Sequence, residues 1–123
     1  RIDNRVLEIG AITRGFKLMA KDLGVPIILC SQLRREAGGT KTGDKMPQIS
    51  DLRDSGAIEQ DADVIIFLHR DDYGNYDNDT SNGVVTAKAI VAKNRHGSTG
   101  TVNLSWYGSY FKFVSVETRY EKK

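Results

Sequence analysis

The chain has 123 residues, 39% of them hydrophobic and 28% charged, which is the size and composition of one ordinary globular domain. No apolar run approaches the about 20 residues that a membrane-spanning helix needs. The net charge of +2 is unevenly distributed, because residues 1–45 carry +4, residues 46–83 carry −7 and residues 84–123 carry +5, and this alternation excludes one continuous basic patch for nucleic acid.

The first predicted element is an amphipathic helix over residues 2–23. Its apolar residues recur at steps of three or four, which places them on one face. They are Ile2, Val6, Ile9, Ile12, Phe16, Met19 and Leu23. Gly24 is a natural stop for the helix, and Pro26 cannot continue it. Gly10 and Gly15 weaken the helix, and we interpret both as points of close packing.

Residues 25–31, "VPIILCS", are predicted to form a central strand. The run is short, apolar and rich in β-branched residues, a pattern typical of a strand that is covered on both faces of a parallel sheet. Cys30, the single cysteine, is expected to be a buried small hydrophobe, and it fits a reducing compartment. The helix and this strand would form the second half of a βαβ unit, so we expect the chain, which starts at Arg1, to be a fragment of a longer protein.

The middle of the chain is predicted to contain a loop, a short helix and a strand. Residues 34–48 lack a hydrophobic period, which predicts a long mobile loop, and loops of this length are usually either functional or disordered. Ser50 is expected to cap a short helix that breaks near Gly56. A second buried strand is predicted over residues 63–69, and a polar turn follows over residues 71–83.

The last part of the chain is predicted to form antiparallel hairpins at one edge of the sheet. Short strands are expected over residues 84–93, 101–106 and 110–116, because the connections between them are short and contain glycine. Residues 117–123 are expected to be frayed.

The sequence lacks several kinds of reactive site. It has no Cys/His cluster at metal-ligand spacing, no G-x-S-x-G nucleophile motif and no G-K-[ST] phosphate loop. His69 and His96 are far apart, and each is interpreted as structural or solvent-facing. The remaining candidates lie at the ends of predicted strands, where ligands bind in open α/β sheets.

Two strand ends have residues that are suited to phosphate. Gln32 follows the strand over residues 25–31, where its amide could sense a terminal phosphate, orient a water or simply cap a turn. Lys93 and Arg95 lie where the strand over residues 84–93 ends, and at this spacing both side chains leave on the same side and repel each other unless an anion lies between them. A phosphate of a neighbouring subunit's nucleotide would be such an anion, and the alternative is a solvated hairpin tip.

Three blocks of sequence, in this order, resemble one family. They are "EIGAITRGFKLMAKDLGVPIILCSQL" (residues 8–33), "SDLRDSGAIEQDADVIIFLHRDDY" (residues 50–73) and "AKNRHGSTGTVNLSW" (residues 92–106). The blocks resemble the C-terminal motor domain of DnaB-type replicative helicases, which are hexameric RecA-like ATPases. The middle block is long and specific.

The resemblance implies a fold and an activity for residues 1–123, which are taken as the C-terminal portion of the domain. The fold is α/β, with a RecA-like parallel-core sheet flanked by helices, antiparallel C-terminal edge strands and no phosphate-loop half. The activity is ATP-driven 5′-to-3′ translocation on single-stranded DNA and duplex unwinding at the replication fork. Since the phosphate-loop and catalytic acidic motifs of the family are absent, we expect the isolated chain not to hydrolyse ATP.

The resemblance also implies residue roles in a nucleotide site. Gln32 matches the glutamine that senses the γ-phosphate, and Lys93 and Arg95 match the lysine and the arginine finger that reach the neighbouring subunit's nucleotide. The implied cofactors are ATP and Mg²⁺, bound mainly by residues upstream of this chain. No metal ligand is assigned within it.

A DNA-binding loop is implied by the middle block. Arg53, Asp54 and Gly56 match a channel loop that holds DNA phosphates, and a glycine-bearing turn there would let backbone N–H groups approach phosphates regardless of base sequence. The other implied partners are a homo-hexamer of the full-length protein, a primase and a helicase loader. The implied location is the cytoplasm, at the nucleoid and replication fork, with no membrane.

Two alternatives remain open from the residues alone. One is a non-catalytic DNA-binding or assembly module with a degenerate RecA-like fold, and a G-x-x-x-x-G-K-[ST] sequence upstream of Arg1 would exclude it. The other is a RecA-type recombinase, which the stretch over residues 50–63 disfavours because strand-exchange proteins do not closely resemble it.

Overall fold

The computed structural model describes residues 2–33, 46–52, 55–70 and 83–116 of the chain. The described elements are two α-helices and four strands, with two short 3-10 turns between them. They are α1 (Ile2–Leu23), α2 (Ser55–Asp61), β1 (Val64–Arg70), β2 (Val84–Asn94), β3 (Gly100–Tyr107) and β4 (Lys112–Ser115), with the 3-10 turns at Ile49–Asp51 and Gly108–Tyr110.

Helix α1 has the bounds that the sequence predicted. Gly24 follows its last residue with φ 64°, the left-handed conformation in which glycine pays no steric penalty. The backbone N–H of Val25 donates to the Ala20 carbonyl at 3.2 Å, a bond that closes the helix end in the manner of a Schellman motif. The predicted glycine stop is therefore confirmed.

Helix α1 packs on α2 through its small and polar residues. A Cβ at Gly10 would lie 3.5 Å from the Ala57 Cβ, which confirms close packing at Gly10. The same prediction for Gly15 is wrong, because a Cβ there would meet no described atom within 4 Å. The predicted apolar face is only partly covered, and four of its residues remain exposed: Val6, Ile12, Met19 and Leu23.

The predicted strand over residues 25–31 is not formed, and this corrects the sequence interpretation. The segment has no strand assignment, and Ile28 is 90% exposed. Cys30 is exposed as well, so its expected burial is also wrong. A strand exists only by pairing its N–H and C=O groups with a neighbour, and none of the described strands pairs with this segment.

The predicted short helix is divided at a different place from the one expected. Ser50 lies inside the 3-10 turn and is not its N-cap; that position belongs to Gln48, whose backbone N–H donates to the Asp51 Oδ2 at 2.8 Å. Gln48 and Asp51 thus form the capping box of the turn, in which the carboxylate three residues after the N-cap accepts from the N-cap backbone. Gly56 does not break α2 but lies in its first turn.

The four strands form one antiparallel sheet in the order β1-β2-β3-β4. The predicted hairpins are confirmed, with β2 paired to β3 and β3 paired to β4. Strand β1 also pairs antiparallel with β2, so the described part of the sheet contains no parallel pair.

The core lies on one face of β1. Leu52, Ile65 and Phe67 are buried together, and partly buried apolar residues pack around them: Leu33, Ile49, Ile58, Ala62, Ile90 and Ala92. The other face of β1 is open, so this strand is buried on one side and not on both. The core thereby joins the end of the 25–33 segment, the 3-10 turn, α2 and the first two strands.

Several predicted features lie outside the described residues. They include nearly all of the loop over residues 34–48, the turn over residues 71–82 and the tail over residues 117–123. Within the part of the chain that is described, no helix combines the length and the apolar character needed to cross a membrane.

Candidate functional site

The end of β2 is irregular where the two predicted phosphate-binding cations lie. Ile65 pairs with Lys93 and Ile66 pairs with Val91, so Ala92 is an extra residue without an opposite partner. Such a β-bulge bends its strand and re-aims the side chains that follow, and bulges are common beside functional sites. Lys93 is the first residue after the bulge.

Lys93 and Arg95 both reach back to the carboxyl end of α2. The Lys93 Nζ donates to the Glu59 carbonyl. The Arg95 Nη2 donates to the Gln60 carbonyl at 3.2 Å. Carbonyls in the last turn of a helix have no intrahelical partner and carry partial negative charge, which favours cations at this end.

Arg95 is also bound to Asp63, the residue directly before β1. Its Nη1 donates to the Asp63 Oδ1 at 2.6 Å, and its backbone N–H donates to the Asp63 carbonyl at 2.9 Å. The Arg95 side chain is nevertheless 39% exposed. Both cations are thus held by hydrogen bonds within the chain, and Arg95 also faces solvent.

Asp63 binds a second cation from another element. The Lys17 Nζ of α1 donates to the same Asp63 Oδ1 at 2.7 Å. The hydrogen bond from Lys17 lowers the pKa of Asp63 below its usual value; partial burial opposes this, and the positive charges of Lys17, Arg95 and His96 reinforce it. The carboxylate is thus ionised at neutral pH and links α1, the α2–β1 junction and the turn after β2.

A tight turn follows the two cations. The Gly97 N–H donates to the Asn94 carbonyl at 3.4 Å, and the Asn94 Nδ2 donates to the Ser98 carbonyl at 3.2 Å. A Cβ at Gly97 would lie 2.6 Å from the Asn94 Nδ2, so any other residue there would displace that side chain. The turn thereby fixes the direction in which the chain leaves Arg95.

A second hydrogen-bonded contact positions α2 on α1. The buried Thr13 hydroxyl lies 2.8 Å from the Asp61 Oδ2, and Arg14 lies 3.6 Å from the Asp61 Oδ1. Together with Lys17 and Asp63, this contact fixes the carboxyl end of α2 against α1. The helix end that holds the two cations is therefore itself held in place.

The other predicted site residues lie apart from this cluster. Gln32 is exposed, and its neighbour Leu33 packs against the core, so the core anchors the segment that presents the glutamine. Gly56 is exposed in the first turn of α2, where a Cβ would meet no described atom within 4 Å. Its φ is not positive, so the expected glycine-bearing turn is replaced by the start of a helix. Arg53 and Asp54 lie outside the described residues.

Asp63 is the site residue that the sequence interpretation missed. It closes the "EQDAD" stretch, and its partners Lys17 and Arg95 are 46 and 32 residues away along the chain. Asp63 belongs to the acidic segment over residues 46–83, but no local pattern in the sequence tells which of its carboxylates pairs with a cation. In the described residues, no three His, Cys, Asp or Glu side chains gather as metal ligands.

The opposite end of β1 has a different, aromatic surface. The Arg70 guanidinium lies over the Trp106 ring, 5.1 Å from its centroid, and the Trp106 and Phe113 rings are 4.5 Å apart. A shallow cleft lies beside them, next to the exposed Phe111. Arg70 lies seven positions after Asp63, or about 23 Å along the strand, so the two surfaces are separate.

Comparison with known proteins decides the family. The family model described as "DnaB-like helicase C terminal domain" matches residues 1–115. The chain belongs to this family. The replicative DNA helicase DnaC of Bacillus subtilis (strain 168) is 47% identical over 119 residues, which are 97% of this chain and 25% of that protein. The replicative DNA helicase DnaB of Geobacillus stearothermophilus is 44% identical over 120 residues, 98% of this chain and 25% of that protein.

Solved structures agree with the family. One of them, a solved ATPase domain, has a TM-score of 0.76 and 43% identity, covering 92% of this chain and 38% of that one. A DnaB-like replicative helicase, solved in a study of its interactions with primase, has the same TM-score of 0.76 and 43% identity, covering 92% of this chain and 26% of that one. The described residues thus have the fold of part of a RecA-like helicase ATPase domain, as the resemblance predicted. The chain spans about a quarter of the length of the curated relatives.

Proposed function

We propose that this chain forms part of the ATPase motor of a replicative DNA helicase that moves 5′ to 3′ along single-stranded DNA and unwinds duplex. Membership of the DnaB-like helicase C-terminal domain family supports the proposal, as does the name "replicative DNA helicase" of the two relatives. The full-length protein would act as a homo-hexamer with ATP bound between subunits. The single structural observation that supports the proposal is the cluster of Lys93 and Arg95 on the carboxyl end of α2.

In this proposal Lys93 and Arg95 act on the nucleotide of the neighbouring subunit. Arg95 suits the role because its guanidinium is held by hydrogen bonds and yet is 39% exposed. A fixed arginine stabilises the charge that develops on a transferring phosphoryl group without having to reorganise. Lys93, a compact point charge beside it, would add to the positive potential at the same phosphate.

Gln32 would act on the nucleotide of its own subunit. Its side chain is exposed, and Leu33 in the core keeps the segment in place. An amide can both donate and accept, so Gln32 can contact a γ-phosphate oxygen and orient an attacking water. The loss of the γ-phosphate then changes what this amide contacts.

The residues present fit the phosphate part of ATP but not the metal. Lys93, Arg95 and Gln32 are donors for phosphate oxygens, whereas the described residues contain no acidic cluster that would bind Mg²⁺. The metal neutralises charge on the β- and γ-phosphates when it is bound. Its ligands would come from the rest of the full-length motor.

The DNA contact would lie at the amino end of α2. Gly56 is exposed there, and no described atom lies within 4 Å of where its Cβ would be, which would let a DNA phosphate approach the backbone closely. Backbone N–H groups read no base sequence, which is what a translocating motor requires. Arg53 and Asp54 would complete this loop, and a primase and a helicase loader would be further partners of the assembled ring.

Strand displacement by the full-length protein tests the proposal. We expect ATP-dependent unwinding of a forked duplex with a free 5′ single strand, and no unwinding of a duplex with only a free 3′ strand. Residues 1–123 alone should hydrolyse no ATP, because their sequence has no G-K-[ST] phosphate loop. DNA binding by the full-length protein without any ATP hydrolysis would instead support a non-catalytic module.

A further inference from the structure

The contacts of Asp63 extend the proposed function by one residue. Asp63 is the second of the two residues between α2 and β1, and it binds Arg95 twice, through its carboxylate at 2.6 Å and through its carbonyl at 2.9 Å. The Gln60 carbonyl binds the other terminal nitrogen of the guanidinium at 3.2 Å. These bonds occupy one side of a planar group whose five N–H donors have a fixed geometry.

Part of the Arg95 side chain stays accessible to solvent in this arrangement. The side chain is 39% exposed although its two terminal nitrogens are both bound. Each terminal nitrogen has a second N–H, and among the described residues these donors have no partner. Two N–H groups therefore fix the plane of the guanidinium, and the exposed part of the side chain leaves donors accessible to an external anion.

The charge balance shows why a neutral residue would not replace Asp63. Lys17 and Arg95 both donate to the same Asp63 Oδ1, at 2.7 and 2.6 Å, so two cations meet at one carboxylate oxygen. With the negative charge removed, the two cations would repel each other. Lys17 is held on α1, whereas Arg95 lies at the start of an exposed turn, so Arg95 is the group that would move.

We propose that Asp63 is a positioning residue for Arg95, which orients the guanidinium toward the nucleotide of the neighbouring subunit. This inference rests on the proposed function of Arg95. Asp63 does not itself touch the nucleotide; it acts by keeping the plane and the free N–H groups of Arg95 fixed before the nucleotide arrives. Preorganised donors are worth more in a transition state than donors that must first be ordered.

Steady-state ATP hydrolysis by the full-length helicase in the presence of single-stranded DNA tests the proposal. Asp63→Asn should lower kcat about 10- to 100-fold with little change in KM for ATP, because misplacing a reacting group by about 1 Å costs up to about 100-fold. Asp22→Asn is the matched control, since Asp22 is an exposed carboxylate of α1 that takes no part in the contacts of Arg95. It should leave kcat within about twofold of the parent.

A double-mutant cycle separates positioning from a general structural role. In an Arg95→Ala background, Asp63→Asn should cause no further loss of kcat, because the group that it positions is gone. A full additional loss there, or an equal loss in Asp22→Asn, would overturn the proposal. If Asp63→Asn fails to assemble, Asp63→Glu keeps the charge and displaces the carboxylate, and it should show the same loss of kcat at unchanged KM; parent-like kcat would contradict the proposal.

The same measurements distinguish this inference from the function on which it rests. If Arg95→Ala hydrolyses ATP at the parent rate, the assignment of Arg95 is wrong and the proposed function fails. If Arg95→Ala is inactive while Asp63→Asn turns over normally, only the positioning role of Asp63 is wrong.

Discussion

The two ends of α2 (Ser55–Asp61) differ in what occupies them. At its carboxyl end, three cations and one carboxylate make hydrogen bonds: Lys17 and Arg95 donate to Asp63, and Lys93 and Arg95 donate to carbonyls of the helix. At its amino end, Gly56 is exposed and no described atom lies within 4 Å of where its Cβ would be.

This difference separates two kinds of functional surface. The carboxyl end is already ordered by the chain itself, which suits a group that must be in place before a reaction starts. The amino end is left open, which suits a site that is completed by a ligand. Only seven residues, or about 10 Å of helix, lie between the two, so one rigid element connects the proposed DNA contact to the proposed nucleotide contact.

The largest expected effect is at the ordered end. In the full-length helicase, Arg95→Ala should lower kcat for ATP hydrolysis by about 10³ or more, because an arginine finger contributes about 10³–10⁵ in rate. Nucleotide affinity, measured by equilibrium binding of a fluorescent ATP analogue, should not change. Arg14→Ala is the control, since Arg14 is an exposed arginine near the same helix end that pairs with Asp61. ATP hydrolysis at the parent rate in Arg95→Ala would show that the ordered end of α2 does not act on the nucleotide.

A smaller effect is expected at the open end. Gly56→Val should weaken single-stranded DNA binding about tenfold, or about 1.4 kcal/mol, because the new side chain blocks the close approach of a phosphate to the backbone. Fluorescence anisotropy of a labelled oligonucleotide measures this. Gly15→Val is a matched control, because Gly15 is also a helical glycine without a described neighbour within 4 Å. Equal affinity in the two variants would argue against a DNA contact at Gly56.

The smallest expected effect is on stability in acid. The pKa of Asp63 is lowered in the folded protein, chiefly by the hydrogen bond from Lys17, so its charged form stabilises the fold above the pKa of the unfolded chain. That stabilisation is lost as the pH falls through the lower, folded-state pKa, at and below about pH 4. The difference in thermal midpoint between the parent and Asp63→Asn should therefore be present at neutral pH and shrink in acid. A difference that is constant with pH would show that the carboxylate charge is not its source.

The elements that were predicted correctly depend on local pattern. Helix α1 ends where Gly24 can adopt a positive φ, and the hairpins β2–β3 and β3–β4 pair residues that are close in sequence. Residues 25–31 have an equally clear strand pattern, but a strand needs a partner and none of the described strands provides one. The apolar pattern of a segment predicts that it can form a strand, and backbone pairing with a neighbouring strand decides whether the strand forms.

The candidate site was predicted only in part for a related reason. Lys93 and Arg95 were predicted from their spacing and from the family resemblance. The spacing also indicated that an anion should lie between them. In the chain itself, Lys93 donates to a carbonyl of the helix end and Arg95 donates to the Asp63 carboxylate, whose pairing with Lys17 joins residues 46 apart in sequence. Contacts at such separation follow from the packing of α1 on α2 and have no signature in a single sequence.

Mixing two inactive helicase variants is the most direct test of the claim that this chain completes a neighbour's ATP site. One variant has Arg95→Ala, and the other has its phosphate-loop lysine replaced by alanine. Hexamers assembled from the mixture should regain ATP hydrolysis that neither variant shows alone, because some interfaces then combine an intact phosphate loop with an intact Arg95 from the adjacent subunit. If mixed hexamers, verified by mass measurement to contain both variants, remain as inactive as the separate ones, Arg95 does not act across the subunit interface.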